Sequence, residues 1–168
     1  MKRTNRLKSI ALIGKAVDEY YRDLVKAREE GKPIVWSDGI PIVLPILRAM
    51  DIEYLFCPAY AATLSARHLS KDVLRASELA GYLPEICSYT RHAMGCAFLE
   101  AGEDSLIYYK IPKPDMVVTI DPGCSMTLNW ADAERRLFNV PLFELKVISI
   151  WRGDEEEEAK RDIVEQIK

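Results

Sequence analysis

Met116-Val117-Val118-Thr119-Ile120, running directly into Asp121-Pro122-Gly123-Cys124, is the stretch on which the rest of the chain is read. A near-continuous apolar run of this length suits a strand covered on both faces, as in a parallel sheet. The Asp-Pro-Gly behind it is a loop signal. Downstream, Met126, Trp130, Ala133 and Leu137 recur at helical spacing, and Pro141 introduces another strand over Leu142 to Ile148. Upstream, Pro33 to Ser37 reads as a buried strand, Asp38-Gly39 as a turn, and Pro41 to Met50 as a short helix. Glu53 to Cys57 reads as a second strand that Pro58 closes. Residues 60–81 read as one helix, with Leu69, Val73, Ala76 and Ala80 on one stripe and Gly81 as its stop. Residues 88–101 form another, with Ser88 at its N-cap.

At the N-terminus, Ile10, Ile13, Val17, Tyr21 and Leu24 mark one amphipathic helix over residues 4–30, ended by Gly31-Lys32-Pro33. A charged helix over Asp154 to Lys168 carries its acids in the first turn, where the helix dipole favours them. Alternating helices and short apolar strands predict an α/β fold: a mostly parallel sheet flanked by helices, Rossmann- or flavodoxin-like, with a long N-terminal helix. The expected division is an N-terminal helical extension (1–32), an α/β domain (33–151), and a helix (152–168) that leads to a following domain absent from the chain.

The 168 residues carry 23 Lys+Arg and 26 Asp+Glu, a formal charge of -3. That balance argues against general nucleic-acid binding, which needs a basic field to displace counterions. No apolar run approaches the roughly 20 residues that span a bilayer. The basic start, Met1-Lys2-Arg3, has no uninterrupted apolar core behind it, so no secretory signal is expected and a cytoplasmic, reducing setting is. No GxGxxG or GxxxxGK[ST] occurs, so neither a dinucleotide fingerprint nor a P-loop is present.

Ligands in parallel α/β sheets collect beyond the carboxyl ends of the strands. Of the four cysteines, Cys57, Cys87, Cys96 and Cys124, none forms a CxxC pair. Two readings stay open: small core residues, or ligands converging from different loops. Cys87 and Cys124 precede predicted helices. At such positions free backbone N–H groups and the helix dipole favour a thiolate, the form that binds metal. Cys57, at the end of an apolar strand, and Cys96, among Met94, Ala97 and Phe98, read as packing residues. His92, about one turn beyond Cys87, can face the same cavity, although a structural role is its default. His68 reads as a surface or core-edge residue of a long helix. Ser37 and Asp38 form a turn first and a substrate contact second.

The chain resembles the 2-hydroxyacyl-CoA dehydratase family, which also includes ATP-dependent benzoyl-CoA reductase subunits. The resemblance is carried by Gly31-Lys32-Pro33-Ile34-Val35-Trp36, Ile40-Pro41 and Leu47-Arg48-Ala49-Met50. It is strongest over Gly81-Tyr82-Leu83-Pro84-Glu85-Ile86-Cys87-Ser88-Tyr89-Thr90-Arg91. It continues through Pro112 to Val118, Cys124, Trp130 and Val140 to Leu145.

The resemblance implies a [4Fe-4S] cluster held by three cysteines, with one iron left open. Cys87 matches the first ligand and Cys124 the second, while the third family ligand comes from a later domain that this chain does not reach. Many relatives also carry an acidic residue after the second strand, where this chain has Cys57-Pro58-Ala59-Tyr60. The implied chemistry is one-electron reduction of a 2-hydroxyacyl thioester, loss of the C2 hydroxyl assisted by the open iron, loss of the C3 proton, and return of the electron. Ser37 is then a candidate contact for the thioester, and His92 a candidate catalytic group. The implied partners are an acyl-CoA substrate, a paralogous second subunit and an ATP-dependent iron–sulfur activator. An aromatic-ring reductase subunit and an α/β interaction domain without a cluster are the alternatives.

Overall fold

The computed structural model describes residues 7–39, 41–99, 106–147 and 156–168. Outside them lie Ile40, Ile148, Trp151, the ends of the expected helices at residues 4–6, 100–101 and 154–155, and the expected boundary at 151–152.

Four parallel strands form one sheet in the order β2-β1-β3-β4. They are β1 (Ile34–Ser37), β2 (Glu53–Phe56), β3 (Met116–Asp121) and β4 (Leu142–Lys146). β1 and β3 are central, so both their faces are covered, and Ile34, Val35, Trp36 and Ser37 are all buried. This is the expected α/β fold. β1 pairs with β2 from Ile34 opposite Glu53 to Ser37 opposite Phe56, and with β3 from Val35 opposite Met116 to Ser37 opposite Val118.

Seven α-helices flank the sheet among the described residues: α1 (Lys8–Glu29), α2 (Leu44–Ala49), α3 (Cys57–Ala66), α4 (Ser70–Leu79), α5 (Ser88–Phe98), α6 (Ser125–Phe138) and α7 (Glu156–Ile167). One sheet face packs Ile34, Trp36 and Leu55 against Tyr21 and Leu24 of α1, Tyr60 and Leu64 of α3, Met94 of α5 and Trp130 of α6. The other packs Val35, Val118, Ile120 and Leu145 against Leu47 of α2 and Ile163 of α7. Only the C-terminal half of α1 is buried in the core; Leu7, Ile10, Leu12 and Ile13 are exposed.

Two expectations need correction. The helix expected over 60–81 is two helices. His68 takes a left-handed φ of 60°, and Leu69 N–H donates to the Leu64 carbonyl at 2.9 Å. This is the same closure that Gly31 and Gly81 make at the ends of α1 and α4, with a histidine where glycine is usual. Pro58 does not close β2. It occupies the first turn of α3, where its missing N–H costs nothing, so Cys57 opens a helix rather than ending a strand. In addition, a short 3-10 turn at Ile107–Tyr109 was not anticipated, and β4 stops at Lys146.

The start of the two central strands is tied to α1 through Asp115. Its carboxylate accepts from Arg28 Nη2 at 2.8 Å and Nη1 at 3.2 Å, and from the Ile34 N–H at 2.8 Å. The Arg28 hydrogen bonds lead in holding the Asp115 carboxyl below its ordinary pKa. A lowered folded-state pKa gives stability present above the ordinary carboxyl range and lost as pH falls through the folded value. Asp115→Ala is therefore expected to cost about 1 kcal/mol at neutral pH, because the ion pair is half exposed and screened. Urea midpoints at low and high salt check this; equal midpoints for parent and variant would contradict it.

Candidate metal centre at the strand ends

Strand order reverses between β1 and β3, and the crevice beyond their carboxyl ends is where this class of sheet binds ligands. A cleft of about 500 Å³ opens there. Gly39 after β1, Pro58 after β2, Cys87, Tyr89 and Thr90 at the start of α5, and Gly123, Cys124, Met126, Thr127 and Trp130 after β3 line it.

Cys87, not the expected Ser88, is the N-cap of α5, Ser88 being its first helical residue; Cys124 is the N-cap of α6, and neither cysteine makes a side-chain capping bond. Their carbonyls accept the first helical bonds, from Arg91 N–H at 3.2 Å and Thr127 N–H at 2.8 Å. Both thiols are free and exposed. The loop before Cys87 is anchored by Arg91, whose guanidinium is almost wholly buried. Its Nη1 meets Glu78 Oε1 of α4 at 2.5 Å, and its Nε donates to the Ile86 carbonyl at 3.3 Å. The structure thus places both sequence-predicted cysteines on the lining of one cleft. As donors, two free thiols at helix N-termini fit two of the thiolate positions of an iron–sulfur cluster.

The other candidates sit elsewhere. Ser37 is fully buried behind the lining, with no hydrogen bond to its Oγ. His92 is not on the cleft. Its Nδ1 pairs with the Ser88 carbonyl at 2.6 Å and its Nε2 with Ser70 Oγ at 2.8 Å, clamping α5 to α4. Burial lowers the His92 pKa. Cys57 and Cys96 are buried in the core, as their surroundings suggested.

Sequence reasoning missed what lies under the cleft. One carboxylate oxygen each of Asp38 and Glu134 and the Cys57 sulfur lie within 4.8 Å of one another, all three side chains fully buried. Glu134 stands four residues after Trp130, on the same inward stripe of α6, and its Oε1 accepts from the indole Nε1 at 2.5 Å. That i, i+4 relation was the available signal. Burial pushes both carboxyls up, and it pushes the Cys57 thiol up as well, with the two acids adding to it. The folded chain therefore holds protons that the unfolded chain releases above the ordinary carboxyl range. The associated stability is full below that range and is lost as pH rises toward the folded values. In chelator-treated buffer, Glu134→Gln is expected to flatten the decline in urea midpoint as pH rises above the ordinary carboxyl range. An unchanged slope would contradict it.

No family model matches the chain. Among curated proteins it is 27% identical over 131 residues to the (R)-2-hydroxyisocaproyl-CoA dehydratase alpha subunit of Clostridioides difficile, a match covering 78% of this chain and 31% of that protein. It is 24% identical over 160 residues to the lactoyl-CoA dehydratase subunit alpha of Anaerotignum propionicum, covering 88% of this chain and 37% of that one. The chain spans about a third of the length of these relatives. Over most of its own length it resembles 2-hydroxyacyl-CoA dehydratase α subunits, the family to which its residues pointed.

Proposed function

We propose that this chain is a subunit, or the N-terminal part of one, of a [4Fe-4S] enzyme that eliminates water from a 2-hydroxyacyl-CoA. The observation that carries the proposal is the meeting of Cys87 and Cys124 on one cleft at the strand-order reversal, in a chain similar to two dehydratase α subunits. Cys87 and Cys124 are the residues that would hold the cluster, with further ligands supplied from outside this cleft lining. A bound cluster supplies an electron and, at an iron without a protein ligand, a Lewis acid for the substrate oxygen.

The chain's own contribution is position and exclusion. Pro58, Met126 and Trp130 give the cleft apolar walls, while Tyr89 and Thr127 offer hydroxyls to a thioester lying along it. Arg91, through Glu78 and the Ile86 carbonyl, ties the Cys87 loop to α4. Ser37, behind the lining, is a candidate thioester contact only through a change in the Asp38-Gly39 turn. A second, paralogous subunit and an ATP-dependent iron–sulfur activator complete the proposed system, which we place in the cytoplasm. Among the described residues no helix is long and apolar enough to cross a membrane.

The test is turnover by the chain assembled with its partner subunit and activator under anaerobic conditions. The expected product from a 2-hydroxyacyl-CoA is the 2-enoyl-CoA. Reduction of an aromatic acyl-CoA in its place would identify the ring-reductase alternative. Iron-free assembly with neither activity would favour a domain without a cluster.

A further inference from the structure

We propose that Asp38, Cys57 and Glu134 form a second metal site, separate from the cleft cysteines, that holds one divalent transition-metal ion of the zinc or iron(II) type. Their donor atoms lie within 4.8 Å of one another, contributed by the turn after β1, the first residue of α3 and the middle of α6. Neither oxygen of Asp38 nor Oε2 of Glu134 receives a hydrogen bond from an N–H or hydroxyl group of the described residues.

A fourth donor leaves the same face of the sheet as Asp38. Asp38 N–H donates to the Val118 carbonyl at 2.9 Å, continuing the register in which Ser37 stands opposite Val118. Asp38 and Thr119 are thereby neighbours across the β1–β3 ladder, and neighbours leave the same face of a sheet. Thr119 is 1% exposed, and its Oγ1 has no partner.

The donor chemistry separates an ion from protons. A proton shared by the two carboxyls, with the Cys57 thiol donating to Asp38, would relieve the repulsion but leave the Thr119 hydroxyl unserved, a cost in a dry interior. One ion with metal–oxygen distances of about 2.0–2.2 Å and a metal–sulfur distance of about 2.3 Å serves thiolate, carboxylates and hydroxyl together. Mixed sulfur and oxygen donors in a small buried set suit zinc or iron(II) rather than calcium or magnesium, which take oxygen alone. The Trp130 N–H on Glu134 Oε1 orients that carboxylate from behind, as outer partners of metal ligands do. This assignment does not depend on the proposed reaction.

Cobalt(II) is the probe, because thiolate ligation to it gives a near-ultraviolet charge-transfer band. The chain is freed of the cleft thiols by Cys87→Ala and Cys124→Ala, stripped with chelator and titrated with cobalt. The expected result is one tightly held ion per chain with a thiolate band. Cys57→Ser should abolish the band, and Glu134→Gln or Asp38→Asn should weaken binding at least about tenfold. Should Cys57→Ser fail to fold, adding Cys96→Ala to the double variant leaves Cys57 as the remaining thiol, and the band must persist there. No tightly bound cobalt in the double variant, or a band that survives Cys57→Ser, would overturn the site and leave the carboxyls neutralised by protons.

Discussion

Gly95→Ala is expected to destabilise the chain by roughly 3–5 kcal/mol, enough to leave much of it unfolded at moderate temperature. Gly95 lies in the middle of α5, where intrinsic propensity alone favours alanine by about 1 kcal/mol. Packing reverses the sign. A methyl group there would sit inside van der Waals contact with the Val73 carbonyl oxygen of α4 and 2.9 Å from Val73 Cγ1. A backbone carbonyl cannot rotate away as a side-chain tip can, so the helices must separate and open the buried layer around Val73 and Met94. Gly14→Ala in α1 is the matched control. Its nearest neighbour is the end of the flexible Arg67 side chain at 3.6 Å, and alanine there should stabilise by about 0.5–1 kcal/mol. Urea unfolding of both variants decides the matter; similar gains in both would contradict the close approach of α4 and α5. The effect also bears on function, since α4 and α5 together aim the loop that presents Cys87.

The apolar runs made β1 and β3 readable, because a strand covered on both faces must be apolar almost throughout; the half-buried edge strands β2 and β4 carry Glu53, Glu144 and Lys146 and were readable from the alternation of helices and strands. Cys87 and Cys124 were readable as helix-leading positions because Ser88 and the Asp121-Pro122-Gly123 turn mark where those helices start. The break at His68 was hidden: a left-handed residue that is not glycine leaves no mark in an apolar stripe that continues from Leu64 to Leu69 and Val73. Pro58 misled because proline ends strands and begins helices with equal ease, and no local feature separates the two. The acid pair was hidden for another reason. Asp38 looks like an ordinary turn residue and Glu134 like one more charge on α6. Only the fold, which brings the turn after β1 to the inward side of α6, shows that the two lie together with Cys57.

The second large effect concerns the cleft thiols. Each is a separate N-cap on a separate helix, so neither Cys87→Ala nor Cys124→Ala should disturb the fold by more than about 1 kcal/mol. Removing a thiolate from a cluster that depends on few protein ligands should instead remove most of the bound iron. A small effect on folding beside a large effect on iron is the signature of a ligand, and a core cysteine would show the reverse.

The direct measurement is iron and sulfide retained per chain after anaerobic reconstitution, with excess small-molecule thiol present to complete the ligand set. Parent chain is compared with Cys87→Ala, Cys124→Ala and the double variant, each confirmed folded by circular dichroism. The expected result is about four irons with matching sulfide and broad visible absorption per parent chain, a severe loss of both in either single variant, and in the double variant no sulfide and no more iron than the single ion of the Asp38–Cys57–Glu134 site. A parent that retains no more iron than the double variant would contradict it.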